Sequence, residues 1–423
     1  VKAGVASIAI TPAEPMWLAG WAARREPASG KAMDLFAKAL ALEDDRGRRI
    51  VILTADLIAI TGALAKAVAE RVRARCDLAR ESILFNASHT HCGPEVREDK
   101  VAFFEIPPGF AAKIPPYVLD LEDKLVAVIE TALGRLGPAL LQCAESSVDF
   151  ARNRRTPGGP VAHEVPVLQV LRPDKRPLAV VFGYACHNLT LPPSFCQYHG
   201  DYAGVAQRNM EKAFPGATAL FLAGAGADQD PEPRGNIEST ERHGEALAHA
   251  VGQTMSKPGR SIEGPLDATF EEVPLDFLPP PTPEALQTEL QSNDPPRIRK
   301  ANHLLAALTA KKTFPSSHPC PVQLIRFGDE LVLIALGGEP VAEYAARFQA
   351  DFGGRMVWVS GYCNDMFGYL PTRRVQEEGG YEGNRSVLWS ALPAPFTNTV
   401  EERIISATRR LAARLGIPYS ASA

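Results

Sequence analysis

Three times along the chain a strand-sized apolar run leads through an amphipathic stretch into a second apolar run, and this recurring outline constrains the fold more than any other feature. The first copy joins Arg49-Ile50-Val51-Ile52-Leu53-Thr54, a helical pattern over 63–76, and Ile83-Leu84-Phe85. The second joins Leu178-Ala179-Val180-Val181-Phe182, a helix over about 202–214, and Ala219-Leu220-Phe221-Leu222. The third joins Leu331-Val332-Leu333-Ile334, a helix over 341–352, and Met356-Val357-Trp358-Val359. A strand, a helical crossover and a second strand make a parallel pair. The expected fold class is therefore α/β: a mixed β-sheet core flanked by helices, with ligands at the strands' carboxyl ends. Asp201 is expected to cap the second helix and Pro340 to occupy the first turn of the third.

Between the second and third copies, Pro279-Pro280-Pro281-Thr282-Pro283 interrupts the pattern and precedes helical stretches over 284–290 and 298–311. Residues 279–315 are expected to form a helical insertion on a single domain spanning 1–423. A second irregular stretch, 95–116, carries Phe103, Phe104 and Phe110 and reads either as a lid beside a site or as a loop packed on the body.

Composition excludes several classes. With 45% hydrophobic residues among 423, the chain can bury a large core. Forty-five basic against 49 acidic residues leave a net charge of −4, with no basic run to follow a phosphate backbone, so no nucleic-acid partner is expected. The longest apolar runs fall short of the roughly 20 residues that cross a bilayer. No transmembrane segment is expected. Seven cysteines include no C-x-x-C pair; most are read as small buried residues, with a Cys186–Cys196 disulfide left open.

Reactive residue types gather just after the apolar runs. Ser88-His89-Thr90-His91-Cys92 follows the first copy's second run; alternation along a strand would aim both imidazoles to one side, which suggests a metal. His187 follows the second copy's first run, Gly224-Ala225-Gly226-Ala227-Asp228-Gln229-Asp230 its second, and Glu339 and Tyr369 follow the two runs of the third.

With these motifs in place, the chain resembles the amidase domain of the neutral ceramidase family. The resemblance rests on Gly4-Val5-Ala6-Ser7-Ile8-Ala9-Ile10-Thr11-Pro12, Ser88-His89-Thr90-His91-Cys92-Gly93-Pro94, Cys186-His187 followed by Gly200-Asp201-Tyr202-Ala203-Gly204, Gly337-Gly338-Glu339-Pro340, and Gly368-Tyr369-Leu370-Pro371-Thr372 followed by Gly379-Gly380-Tyr381-Glu382-Gly383. It implies one catalytic Zn2+ held by His89, His187, Glu339 and Tyr369, with Tyr381 as the alternative tyrosine. His91 is implied as the proton-transfer residue. Arg155, in Asn153-Arg154-Arg155-Thr156-Pro157, is the better match to the family's arginine, which would stabilise an oxyanion or bind a carbonyl.

Two departures accompany it. Asp230 stands where the family has a serine, so serine acylation is doubtful; the carboxylate would hold a water or amine, or serve the loop. The sequence ends 40 residues past the Tyr-Glu-Gly block, so no C-terminal immunoglobulin-like domain is expected. The resemblance implies a secreted or periplasmic amidohydrolase that cleaves a small-molecule or lipid N-acyl substrate, ceramide being the inherited candidate. Two alternatives stay open: hydrolysis of another, polar or carbohydrate-linked amide or ester, and a metal-containing binding protein without turnover.

Overall fold

Each repeated outline proves to be the second half of a four-strand unit, to which two of the three sheets add a two-residue edge strand. The structure, a computed structural model, describes residues 1–420. In the first sheet β1 (Lys2–Ala9), β2 (Phe36–Glu43) and β3 (Arg49–Ala55) run antiparallel in succession; α1 (Gly62–Cys76) then crosses over, and β4 (Ile83–Ala87) lies parallel to β3. Helix α2 (Ile114–Gly134) packs over β1, β2 and α1. The second sheet repeats the plan with β5 (Leu140–Ser147), β6 (Glu164–Leu171), β7 (Pro177–Tyr184), crossover α3 (Asp201–Ala213) and parallel β8 (Thr218–Ala223), covered by α4 (Ile237–Met255). The third does so with β9 (Leu266–Asp276), then α5 (Pro283–Glu289) and α6 (Pro295–Thr309), then β10 (Ser317–Phe327), β11 (Leu331–Leu336), crossover α7 (Glu343–Asp351) and β12 (Met356–Ser360), with α8 (Val400–Arg414) packed on β9 and β10.

Side-chain alternation turns these sheets toward one another. On β3, Ile50 and Ile52 join a cluster that also contains Val181, Leu220 and Leu222 of the second sheet and Leu331, Leu333 and Trp358 of the third. The intervening Val51, Leu53 and Ala55 face outward, into a separate cluster with α1 and α2. Both faces of each parallel pair are buried, which is why those segments read as continuous apolar runs. The antiparallel strands ahead of them alternate less cleanly and left a weaker sequence signal.

The same parity sends Asn86, two residues after Leu84, into the middle. Its side-chain N–H groups reach the Gly361 carbonyl at 2.8 Å and Ser360 Oγ at 3.2 Å, while its carbonyl accepts from the Ala223 amide at 3.1 Å. Ser360 Oγ in turn donates to the Ala223 carbonyl at 2.8 Å. One buried amide therefore ties together the carboxyl ends of β4, β8 and β12.

Several local expectations shift. Pro340 lies in a two-residue strand, Glu339–Pro340, paired parallel with Tyr369–Leu370, and the helix starts only at Glu343, because pairing with 369–370 keeps the segment extended. Asp201 heads its helix but does not cap it through several amides: one oxygen accepts from Tyr202 N at 2.7 Å and the other from Leu191 N at 3.0 Å, tying the preceding loop to the helix start. All seven cysteines are free, so Cys186 and Cys196 are not joined. The 95–116 stretch packs on the body, with Phe103 and Phe104 buried.

Helices α5 and α6 interrupt the β9–β10 hairpin and have a small core of their own, Leu286, Ala301 and Leu304. Lys300 reaches from α6 to the carbonyls of Ser390 (2.7 Å) and Leu392, and Lys100 donates to that of Trp389 at 2.8 Å. Two buried ammonium groups thus hold the 389–392 segment.

Replacing Asn86 tests the hub. Asn86→Ala leaves the Ala223 N–H and the Gly361 C=O buried without their partner, and a loss on the order of 2–4 kcal/mol in urea unfolding is expected. A change under about 0.5 kcal/mol would remove Asn86 from that role.

Candidate metal centre

The strand ends deliver the reactive side chains from three directions. His187 is the third residue after β7 and Glu339 the third after β11; the equivalent residue after β3 is Ile58, whose carbonyl is used instead. His89 and His91 lie beyond the end of β4, and His89 adopts a left-handed backbone (φ 61°). Strand alternation is therefore not what aims the two rings: the strand stops at Ala87, and the turn at His89 sets their direction. Their centroids are 5.0 Å apart, and that of His187 is 4.9 Å from His89.

Backbone carbonyls fix the tautomers. His89 Nδ1 is 2.8 Å from the Ile58 carbonyl and His187 Nδ1 is 3.1 Å from that of Gly226. A carbonyl only accepts, so each Nδ1 carries the proton and each Nε2 presents a lone pair. Both Nε2 atoms stand 3.4 Å from Glu339 Oε2, a buried oxygen with no hydrogen-bond partner. Two lone pairs and a carboxylate oxygen facing one another repel unless a cation lies among them. Bonds of roughly 2.0–2.1 Å arranged tetrahedrally would separate neighbouring donors by about 3.3–3.4 Å. The donor set fits zinc.

Electrostatics put these groups in the right protonation states. Burial pulls the His89 imidazole down to about 3, with Glu339 opposing. For Glu339, burial works upward but His89, His187 and Arg154 outweigh it, so the carboxyl lies below its ordinary value. At neutral pH the pair is a neutral imidazole and a carboxylate, as metal binding requires.

His91 completes a group of three histidines whose ring nitrogens all lie within 4.8 Å of one another, and this group could itself hold a metal. Both His91 nitrogens are buried without a partner, and burial together with His89 and His187 holds its pKa well below the usual range. Gly20, at φ 89°, packs directly on this ring: a Cβ there would sit 2.4 Å from Nδ1. Trp21 meets the same ring edge-on at 5.2 Å.

Tyr369 is paired with Glu339 across the short parallel bridge, and its hydroxyl accepts from Arg154 Nη2 at 3.0 Å. Burial and the Glu339 carboxylate push its phenol well above the ordinary value, with Arg154 opposing. Tyr381, the alternative tyrosine, lies against Tyr369 at 5.3 Å and is 42% exposed, nearer the rim.

The two arginines exchange the places expected of them. Arg154, not Arg155, enters the site: it also donates to Glu382 Oε1 at 2.7 Å and to Asp230 Oδ1 at 3.2 Å. Arg155 turns toward Glu382 Oε2 at 2.8 Å, Glu378 and the Gly379 carbonyl, one layer out. Residues 151–153 pair with 229–231 as a short antiparallel ribbon, and the Arg154 amide donates to the Asp228 carbonyl, which orients the first arginine inward. Asp230 has both oxygens engaged, with Arg154 and with Arg234 at 2.7 Å. It holds the arginine rather than facing a substrate alone.

Tyr362 escaped the sequence reading. It follows the end of β12 by two residues, as His89 follows β4, shares the left-handed conformation (φ 56°) and lies 4.3 Å from the His89 ring. The rule that chemistry follows strand ends would have found it.

Two connected cavities open on these residues. The inner, narrow one (about 110 Å³) runs from His89 and Glu339 past Met366, Phe367, Leu392 and Phe396. The outer is a wide cleft (about 1210 Å³ on the same measure) lined by His91, Arg154, Asp230 and further arginines.

Known proteins resemble the chain in sequence family and in fold. The family described as neutral/alkaline non-lysosomal ceramidase, N-terminal, matches residues 2–224. A neutral ceramidase from Pseudomonas aeruginosa and a ceramidase complexed with C2 each share the fold over 100% of this chain and 76% of their own, with TM-score 0.77 and 20% identity. No curated protein matches the sequence. Among the described residues no helix is long and apolar enough to cross a membrane.

Elemental analysis of dialysed protein separates ligands from neighbours. Alanine at His89, His187 or Glu339 is expected to abolish stoichiometric zinc and Tyr369→Phe to weaken it, while His91→Ala keeps the metal. Zinc loss from the His91 variant would make that residue a ligand.

Proposed function

The chain belongs to the neutral/alkaline non-lysosomal ceramidase family, and from that premise we propose that it is a zinc-dependent hydrolase of an N-acyl amide, with a ceramide-like lipid as the candidate substrate. The observation that carries the reading is the unpartnered Glu339 oxygen between two imidazole lone pairs, in the wall of a narrow cavity that also has an apolar side.

His89, His187 and Glu339 would hold the ion, with Tyr369 beside them. When bound, zinc polarises a carbonyl and makes water nucleophilic near neutral pH. The chain's own groups do the rest. Met366, Phe367, Leu392 and Phe396 offer an acyl chain an apolar lining, and fix the amide at the junction of the two cavities. Hydrolysis adds water across the C–N bond, so one proton must pass from the attacking oxygen to the departing nitrogen. His91 has both nitrogens free of protein partners and lines both cavities, the arrangement needed for that transfer.

Arg154 supplies the fixed positive charge. Buried among Tyr369, Asp230 and Glu382, it is held in position before substrate arrives, and its guanidinium is suited to the negative charge that develops on the carbonyl oxygen. Asp230, tied to Arg154 and Arg234, acts here as a positioning residue, so the reading uses water rather than an acyl-enzyme.

Release of fatty acid from N-acyl amides by zinc-loaded protein tests the assignment. Arg154→Ala is expected to lower kcat by about a hundredfold with zinc retained, and Arg155→Ala by about tenfold less than that. Equal losses for the two would return Arg155 to the catalytic role. No release from any N-acyl amide despite bound zinc would favour a binding protein instead.

A further inference from the structure

The outer cleft carries a charge pattern that a neutral lipid leaves unused. Its walls include five arginines, at 25, 154, 155, 234 and 299, against three carboxylates. Four of the five are paired: Arg154, Arg155 and Arg234 share Asp230 and Glu382, and Arg299 meets Glu105 at 3.1 Å. Arg25 is different. It is exposed, and no carboxylate oxygen lies within 4.0 Å of it among the described residues.

Arg25 is also held. Its Nη1 donates to the Ala22 carbonyl at 2.9 Å and to its neighbour's, Arg24, at 3.0 Å, which consumes that nitrogen's two protons. The three remaining N–H groups, on Nε and Nη2, have no protein partner among the described residues. That edge of a guanidinium is the one that takes a carboxylate or phosphate through two parallel hydrogen bonds. The segment bearing it begins at Gly20 and Trp21, which pack on His91, so Arg25 belongs to the wall that carries the proton-transfer residue.

We propose that the amine portion of the substrate bears an acidic oxygen group, a carboxylate or a phosphate ester, bound at the outer cleft by Arg25. The inference rests on the N-acyl hydrolase reading and refines it. With the acyl chain in the narrow inner cavity, the leaving amine occupies the outer cleft, where an anion gains from the uncompensated charge as well as from the paired bonds.

Three amphiphiles with one acyl chain decide it: N-dodecanoylglycine, the phosphate ester of N-dodecanoylethanolamine, and uncharged N-dodecanoylethanolamine. The zinc-loaded protein is expected to favour at least one anion about tenfold in kcat/KM at low salt, less at 0.5 M salt. Which anion leads tells a carboxylate from a phosphate. Arg25→Gln should shrink that ratio to within about twofold, chiefly through KM. Equal rates on all three overturn the inference and leave the hydrolase reading standing, as does an Arg25→Gln variant that lowers all three rates alike. Should none be hydrolysed, calorimetry decides independently of turnover: tighter binding of an anion, lost in Arg25→Gln, upholds the inference, and equal binding overturns it.

Discussion

One buried carboxamide sits where three sheets end. Asn86 donates to β12's exit and accepts from β8 while itself belonging to β4, and all of its partners lie within three residues of groups that shape the site. His89 follows it by three positions, Tyr362 follows Gly361 directly, and Gly226, which orients His187, lies three beyond Ala223. A polar group so deep in an apolar core is tolerated only with its donors and acceptors satisfied, and here satisfaction requires all three strand ends at once. The geometry of the donor atoms is thereby made a property of the core rather than of the loops.

The second consequence of that arrangement is electrostatic. Lone pairs of His89 and His187 are turned toward the Glu339 carboxylate by hydrogen bonds on their far sides, donated to the Ile58 and Gly226 carbonyls, and each stands 3.4 Å from the carboxylate oxygen, a separation suited to a small divalent ion. The chain carries the cost of gathering these groups within its folding, so a metal meets a formed site. Around it, Arg154 is held by three oxygens of Tyr369, Asp230 and Glu382, which fixes a cation near another cation's place without letting it compete for the ligands.

Much of this was legible in the residues. The three crossover units stood out because parallel strands buried on both faces read as unbroken apolar runs, and reactive residue types gathered after those runs; the choice of donors among them came from the family resemblance. What stayed hidden depended on contacts that no local pattern encodes. Arg154 and Arg155 are neighbours of the same type, and only the pairing of 151–153 with 229–231 decides which one turns inward. His89 and His91 meet, but through a left-handed turn rather than strand alternation. Pro340 looked like a helix start until its partner strand at 369–370 was seen to hold it extended. The carboxylate at Asp230 in place of a serine was visible; that two arginines occupy both of its oxygens was not.

One side of the inner cavity is built on different foundations from the candidate metal donors. Trp389, Ser390 and Leu392 are anchored by Lys100 and by Lys300, and Lys300 comes from the helical pair that interrupts the β9–β10 hairpin, with its own small core. That side of the pocket therefore hangs from a module that shares no residue with the donor set. Reach and reactivity can drift apart over evolutionary time: a lineage that reshapes those two helices changes the space beside residues 389–392, while the donor set stays as it was.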